Sequence, residues 1–112
     1  MSAQPFEASN FSDVVNGREL PAGGFVQGTG LRIDWQNGPL GRVGSGERIE
    51  PNGAFVETAL EAVLQRIEYY QTAFPCEENA KAIDHINFAL HYLNERTARR
   101  VQANVEGTHE GT

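Results

Sequence analysis

The sequence predicts an α+β fold: a small N-terminal antiparallel β unit followed by a long antiparallel two-helix hairpin. Three observations lead there. Ten of the twelve glycines and four of the five prolines lie in residues 1–53, whereas residues 54–105 contain no glycine and a single proline, Pro75. The first half carries a short alternating run, Leu31-Arg32-Ile33-Asp34-Trp35, with the period of a half-buried strand. The second half carries two apolar patterns of helical period, separated at Phe74-Pro75.

Residues 1–23 read as an N-terminal arm, with PFEASNFSD and ELPAGG as loop material. Residues 24–112 read as one domain. Within it, residues 24–51 form the β and loop part, residues 52–103 the helical hairpin and residues 104–112 a polar tail. Phe25 and Val26 supply a short strand beside the one at Leu31–Trp35, and Gln27–Gly30 leaves room for a tight connection between them. NGPLGRVGSGE is a glycine-rich loop.

Asn52 is the expected N-cap of the first helix, with Glu57 near its positive dipole end. Phe55, Val56, Ala59, Leu60, Val63, Leu64 and Ile67 then fall on one helical face. This helix ends near Thr72 or Ala73. The second runs from about Cys76 to Ala103, with Pro75 suited to its first turn and Glu77 and Glu78 at its positive end. Its seam is Asn79, Ile83, Ile86, Leu90, Leu93, Thr97 and Arg100, stepping by four and three as a heptad does. Phe88, Ala89 and Tyr92 flank that seam. Two helices joined by so few residues pack antiparallel.

Composition excludes several function classes. The net charge is −6, with eight arginines and one lysine, Lys81. There is no broad basic field for duplex nucleic acid and little to attract the chain to an anionic membrane. No apolar stretch approaches the ~20 residues that cross a bilayer. The N-terminus lacks the basic and apolar regions of a secretory signal. The lone cysteine, Cys76, excludes an internal disulfide and a multi-cysteine zinc site. His85, His91 and His109 have no metal-ligand spacing, and no nucleophile sits at fixed distance from a base. Nothing in the residues argues for an enzyme, and no metal or cofactor is expected. The glycine runs match neither the dinucleotide fingerprint nor the P-loop.

Arg96 and Arg100 share one helix face, with Arg99 beside them. Two explanations fit. The cations complement the negative end of the helix dipole, or their forked donors clamp phosphate. Tyr69 and Tyr70 close the first helix, one facing the core and the other not. Packing and a stacking surface for a planar group both fit them.

The segments GLRIDWQNGPLGR (30–42), RIEPNGAFVE (48–57), EYYQTAF (68–74), CEENAKAI (76–83) and ALHYLNERTARRVQANVEGTH (89–109) resemble small bacteriophage proteins that sequester cyclic nucleotide signals of host defence. These are the anti-Thoeris sponges, related to the anti-CBASS sponges through a helical-hairpin domain. The resemblance implies a non-catalytic binding protein of the host cytoplasm, and the small size with two wide apolar faces points to a homo-oligomer, dimer or hexamer. The resemblance also implies a cyclic ADP-ribose isomer as ligand, and some members also hold cyclic di- or trinucleotides. Carried residue by residue, it implies a stacking role for Tyr69, a polar contact from Asn79 and phosphate contacts from Arg96 and Arg100. A further arginine from the loop, Arg48 or Arg42, completes the set. The competing reading is a structural or interaction protein in which the same seam and arginines only hold an oligomer together.

Helix geometry adds a constraint of its own. Asn79 and Arg96 are seventeen residues apart on one helix, about 25 Å at 1.5 Å per residue. If both touch one small ligand, the site lies between two chains.

Overall fold

In a computed structural model, residues 4–38 and 50–102 of the 112-residue chain are described. Three strands, β1 (Phe6–Val15), β2 (Arg18–Gly28) and β3 (Leu31–Trp35), form an antiparallel sheet in the order β1-β2-β3. Two helices follow, α1 (Val56–Ala73) and α2 (Glu77–Gln102). The α+β class, with its N-terminal β unit and helical hairpin, is the one the sequence predicts.

The first strand lies where the sequence reads as loop. Phe6–Val15 pairs with Arg18–Gly28 along nearly its whole length, so most of the segment expected to be an irregular arm is β-ribbon. The turn that makes this possible is Asn16-Gly17, with φ of 54° and 78°. Two positive φ angles in a two-residue loop define the type I′ turn, whose twist matches that of the strands it joins, and Asn-Gly is its preferred dipeptide. Opposite Phe11 the register shifts between Asn10 and Ser12, bending the ribbon. Thr29-Gly30 joins β2 to β3, at the connection expected from sequence.

Direct cross-strand partners share a face. Phe6, Ala8, Val26, Leu31, Ile33 and Trp35 thus line one side of the sheet, while Phe25, Gln27, Arg32 and Asp34 line the other. On the second side Arg32 donates to both Asp34 oxygens, at 3.2 and 2.7 Å, and also to the Gln27 side-chain oxygen. The Arg32 hydrogen bonds, reinforced by the attraction of the two charges and opposed by slight desolvation, hold the Asp34 carboxyl below its usual range. A depressed carboxyl stabilises the fold above its unfolded value, near ~3.9, and that support is lost as pH falls through the lower folded value. The Trp35 amide signals of the sheet are therefore expected to hold steady from about pH 5 upward and to shift below about pH 4. Asp34→Asn should remove that acid transition from an NMR pH titration.

The sheet joins the hairpin through a polar clamp. Asn52 accepts a hydrogen bond from the Asn37 N–H at 2.7 Å and donates to the Asn37 carbonyl at 3.1 Å. Its own N–H donates to Gln36 Oε1 at 2.9 Å. Ala54 then forms a parallel bridge with Trp35, donating to the Asp34 carbonyl at 2.7 Å and accepting from the Gln36 N–H at 3.0 Å. Asn52 is thus no N-cap. The cap position is Phe55, whose side chain makes no capping bond, and the helix starts at Val56. The carboxamide expected to cap helical N–H groups satisfies strand-end groups instead.

Gly53 is what permits this approach. A Cβ there would lie 2.5 Å from both the carbonyl carbon and the oxygen of Trp35. Gly53→Ala is expected to cost about 1–3 kcal/mol, the usual penalty of overpacking, read as a lowered midpoint in denaturant unfolding with an unchanged slope.

The helical turn is short. Phe74 donates from its N–H to the Tyr70 carbonyl at 2.7 Å, ending α1. Gln71 Oε1 accepts the Cys76 N–H at 3.0 Å, bracing the turn. Cys76 precedes α2 and accepts the Asn79 N–H on sulfur at 3.4 Å. The α2 seam is as expected: Asn79, Ile83, Ile86, Leu93, Thr97 and Arg100 are half-buried and Leu90 is buried. On α1 the buried edge is narrower than the apolar face. Ala59, Leu60, Leu64 and Ile67 are half-buried, but Val56 and Val63 are each 50% exposed.

One chain therefore builds a thin core. Leu90 is the single buried hydrophobic side chain among the described residues, and thirteen large hydrophobics there are exposed. The radius of gyration is 16.8 Å, against about 13 Å for a compact chain of similar length. Phe88 at 61% and Tyr92 at 65% exposure extend the apolar surface of α2 away from α1.

Candidate functional site

The residues expected to bind ligand fall into two clusters at opposite ends of the hairpin. Tyr69 lies in the last turns of α1 and Asn79 in the first turn of α2, both at the turn end. Arg96 and Arg100 lie in the last turns of α2, at the open end. The α2 helix is continuous between them, so the separation of about 25 Å holds within one chain. Arg42 and Arg48 lie outside the described residues.

At the turn end the sequence sets the chemistry locally. Neither tyrosine faces the core of the chain: Tyr69 is 56% and Tyr70 44% exposed. The expectation that one of the pair would be buried is thus corrected, because the buried edge of α1 runs through Leu60, Leu64 and Ile67 and passes both rings by. The rings lie 6.1 Å apart and are tilted by 53°. Arg66, one turn earlier, places its guanidinium carbon 5.0 Å from the Tyr69 ring centroid and 4.8 Å from that of Tyr70. This is the range of a cation–π contact. Sequence reasoning missed Arg66, although its spacing of three and four residues from the tyrosines was sufficient signal. Asn79 is half-buried at the end of the apolar seam.

At the open end the helix carries a cationic face. Arg99 and Arg100 fall in the last turn, where the helix dipole favours positive charge. Arg96 is exposed and has no carboxylate within ion-pair distance among the described residues. Tyr92, Glu95, Arg96, Arg99 and Gln102 border a shallow hollow of about 550 Å³. Arg100, half-buried on the seam, sits one turn beyond Arg96. Thr97 turns its hydroxyl back to the Leu93 carbonyl at 3.2 Å. The result is an aromatic ring followed by guanidinium groups at helical spacing, suited to an anionic group of a few ångströms.

Among the described residues, no group of three or more histidine, cysteine and carboxylate side chains could hold a metal ion. Cys76 is exposed and forms no disulfide. None of the described helices is long and apolar enough to cross a membrane.

Comparison with known proteins identifies the family. The chain is 42% identical over 79 residues to Thoeris anti-defense 1 of Bacillus phage SBSphiJ7, a match that covers 70% of this chain and 51% of that protein. The chain thus spans about half the length of the curated relative it matches. Residues 28–98 match the family described as Acb2/Tad1, hairpin domain. The matched segment takes in β3, the Asn52 clamp, all of α1, the turn and α2 as far as Ala98. It holds Tyr69, Asn79 and Arg96, and it stops two residues short of Arg100. On the match over these residues, the chain belongs to the Acb2/Tad1 hairpin-domain family.

Proposed function

We propose that this protein is a phage anti-defence sponge: it binds a cyclic nucleotide immune signal between two copies of its hairpin and withholds it from the host. The ligand is a cyclic ADP-ribose isomer, and cyclic di- or trinucleotides are further candidates. Each pocket takes Tyr69 and Asn79 from one chain and Arg96 and Arg100 from its partner, with Arg42 or Arg48 contributing from the loop. The protein acts in the host cytoplasm and releases the ligand chemically unchanged.

The observation that carries this reading is the split of the candidate residues. A stacking ring and a carboxamide stand at one end of the hairpin and the cations at the other, about 25 Å apart along α2. A two-fold pairing of antiparallel hairpins brings opposite ends together and yields two equivalent pockets. The thin core supports the same assembly, because the exposed Val63, Phe88 and Tyr92 give each chain apolar surface to bury against another.

The test is retention. The purified protein is incubated with nucleotide extract from cells with active defence signalling, washed, heat-denatured, and the released molecules identified by mass spectrometry. Recovery of an intact cyclic nucleotide in stoichiometric amount is the expected result. Recovery of nothing, or of a linear hydrolysis product accumulating with time, contradicts the proposal.

A further inference from the structure

We propose that Arg66 is a further ligand-contacting residue of the turn-end half-site, taking a phosphate of the cyclic nucleotide while its base stacks on Tyr69. The inference rests on the nucleotide-binding reading above and extends it to a residue on the other helix of the hairpin. Three observations carry it. The Arg66 guanidinium lies 5.0 Å from the Tyr69 centroid and 4.8 Å from the Tyr70 centroid, so it is held beside the ring that would stack. It has no ion-pair partner among the described residues, where the pairs are Arg32–Asp34, Lys81–Glu77 and His91–Glu95.

The third observation is the reason for that. The residues within reach along the helix, three and four positions away, are Ala62, Val63, Tyr69 and Tyr70, and none carries a charge. Lys81, by contrast, has Glu77 four residues before it and pairs with it at 2.9 Å. Arg66 thus keeps a full set of planar N–H donors with no ion-pair partner among the described residues, a group suited to bidentate contact with phosphate.

The exchange on binding is balanced at the ring. A base arriving on Tyr69 replaces the guanidinium with another stacking partner. The displaced guanidinium turns its N–H edge to the phosphate attached to the same ligand. A planar base and an anionic group on one small molecule are both required to profit from this pair, so Arg66 selects phosphorylated nucleotides over neutral nucleosides.

The experiment is calorimetric titration of the intact oligomer with a cyclic ADP-ribose isomer, at two salt concentrations, for wild type, Arg66→Gln, Arg66→Lys and Arg96→Ala. Arg66→Gln is expected to raise Kd about 10- to 150-fold and to weaken its dependence on salt, because one cationic contact is lost. Arg66→Lys should recover much of the affinity and the salt dependence by restoring the charge. If Arg66→Gln binds as wild type while Arg96→Ala does not, the inference is overturned and the nucleotide reading stands. If Gln and Lys variants weaken equally with unchanged salt dependence, Arg66 only packs the tyrosines and the inference is likewise overturned. If wild type retains no cyclic nucleotide, the underlying reading fails and takes the inference with it.

Discussion

Replacing Arg96 and Arg100 together by alanine is expected to abolish nucleotide retention while leaving the helical content of the protein unchanged. Each charge-assisted contact from arginine to phosphate contributes roughly 1.5–3 kcal/mol. Two of them amount to about 3–6 kcal/mol, a weakening of roughly 10²- to 10⁴-fold. The fold should survive because Arg96 is exposed, Arg100 is only half-buried near the end of α2, and the buried side chain of the seam among the described residues is Leu90, two to three turns earlier. Isothermal titration with a cyclic ADP-ribose isomer measures the first effect and far-ultraviolet circular dichroism the second. Wild-type affinity in the double variant would remove the open end of α2 from the site. Raised ionic strength should weaken the wild-type protein more than the variant, since salt screens the attraction between exposed charges.

The second large effect is on stability. Leu90 is 7% exposed and centres the seam, with Ile86 and Leu93 half-buried on either side. Leu90→Ala is expected to cost about 2–5 kcal/mol from lost burial and the cavity left behind. Against a total of roughly 5–15 kcal/mol for an ordinary domain, that is enough to unfold a marginal chain. If the chain assembles through the same hairpin, as proposed, the unfolding midpoint should also rise with protein concentration. Phe88→Ala makes the informative contrast. Its side chain is 61% exposed in a single chain, so a monomeric protein would barely register the change. In the proposed oligomer, a large loss of stability at Phe88 would mark the ring as buried between chains. A midpoint independent of concentration, together with a neutral Phe88→Ala, would argue against an obligate oligomer.

Much of the hairpin was legible in the sequence because one physical signal dominates it. A heptad seam with charges on the opposite faces fits a helix and nothing else, and Pro75 marks the break. The end of α1 at Ala73 and the start of α2 at Glu77 agree with that reading to within a residue or so. The strand Phe6–Val15 was not legible from periodicity, since FEASNFSDVV mixes serine, asparagine and acidic residues with few alternating apolar ones. Its signal was the turn instead: Asn16-Gly17 favours a hairpin whatever the composition of the strands around it. Asn52 misled for a related reason. A side chain that can cap a helix can equally satisfy any exposed backbone, and the nearer unmet groups were those of Asn37. The exposed tyrosines show a third limit. A helical apolar pattern identifies the residues that leave water, but it cannot separate burial against the same chain from burial against another copy or a ligand.

The division of the site into two half-sites on different chains is the central claim, and a mixed oligomer tests it most directly. One chain would carry Tyr69→Ala with Asn79→Ala, and the other Arg96→Ala with Arg100→Ala, with distinct tags for purification of the heterodimer. Each variant alone should bind nothing, because every pocket of a homodimer lacks one half. In the mixed dimer one pocket combines two wild-type halves and the other combines two altered ones. Half the wild-type binding capacity at near wild-type affinity, measured by titration of the verified heterodimer, is the result expected. A verified heterodimer that binds nothing contradicts the account and places all four residues, or whichever of them matter, in a site within one chain.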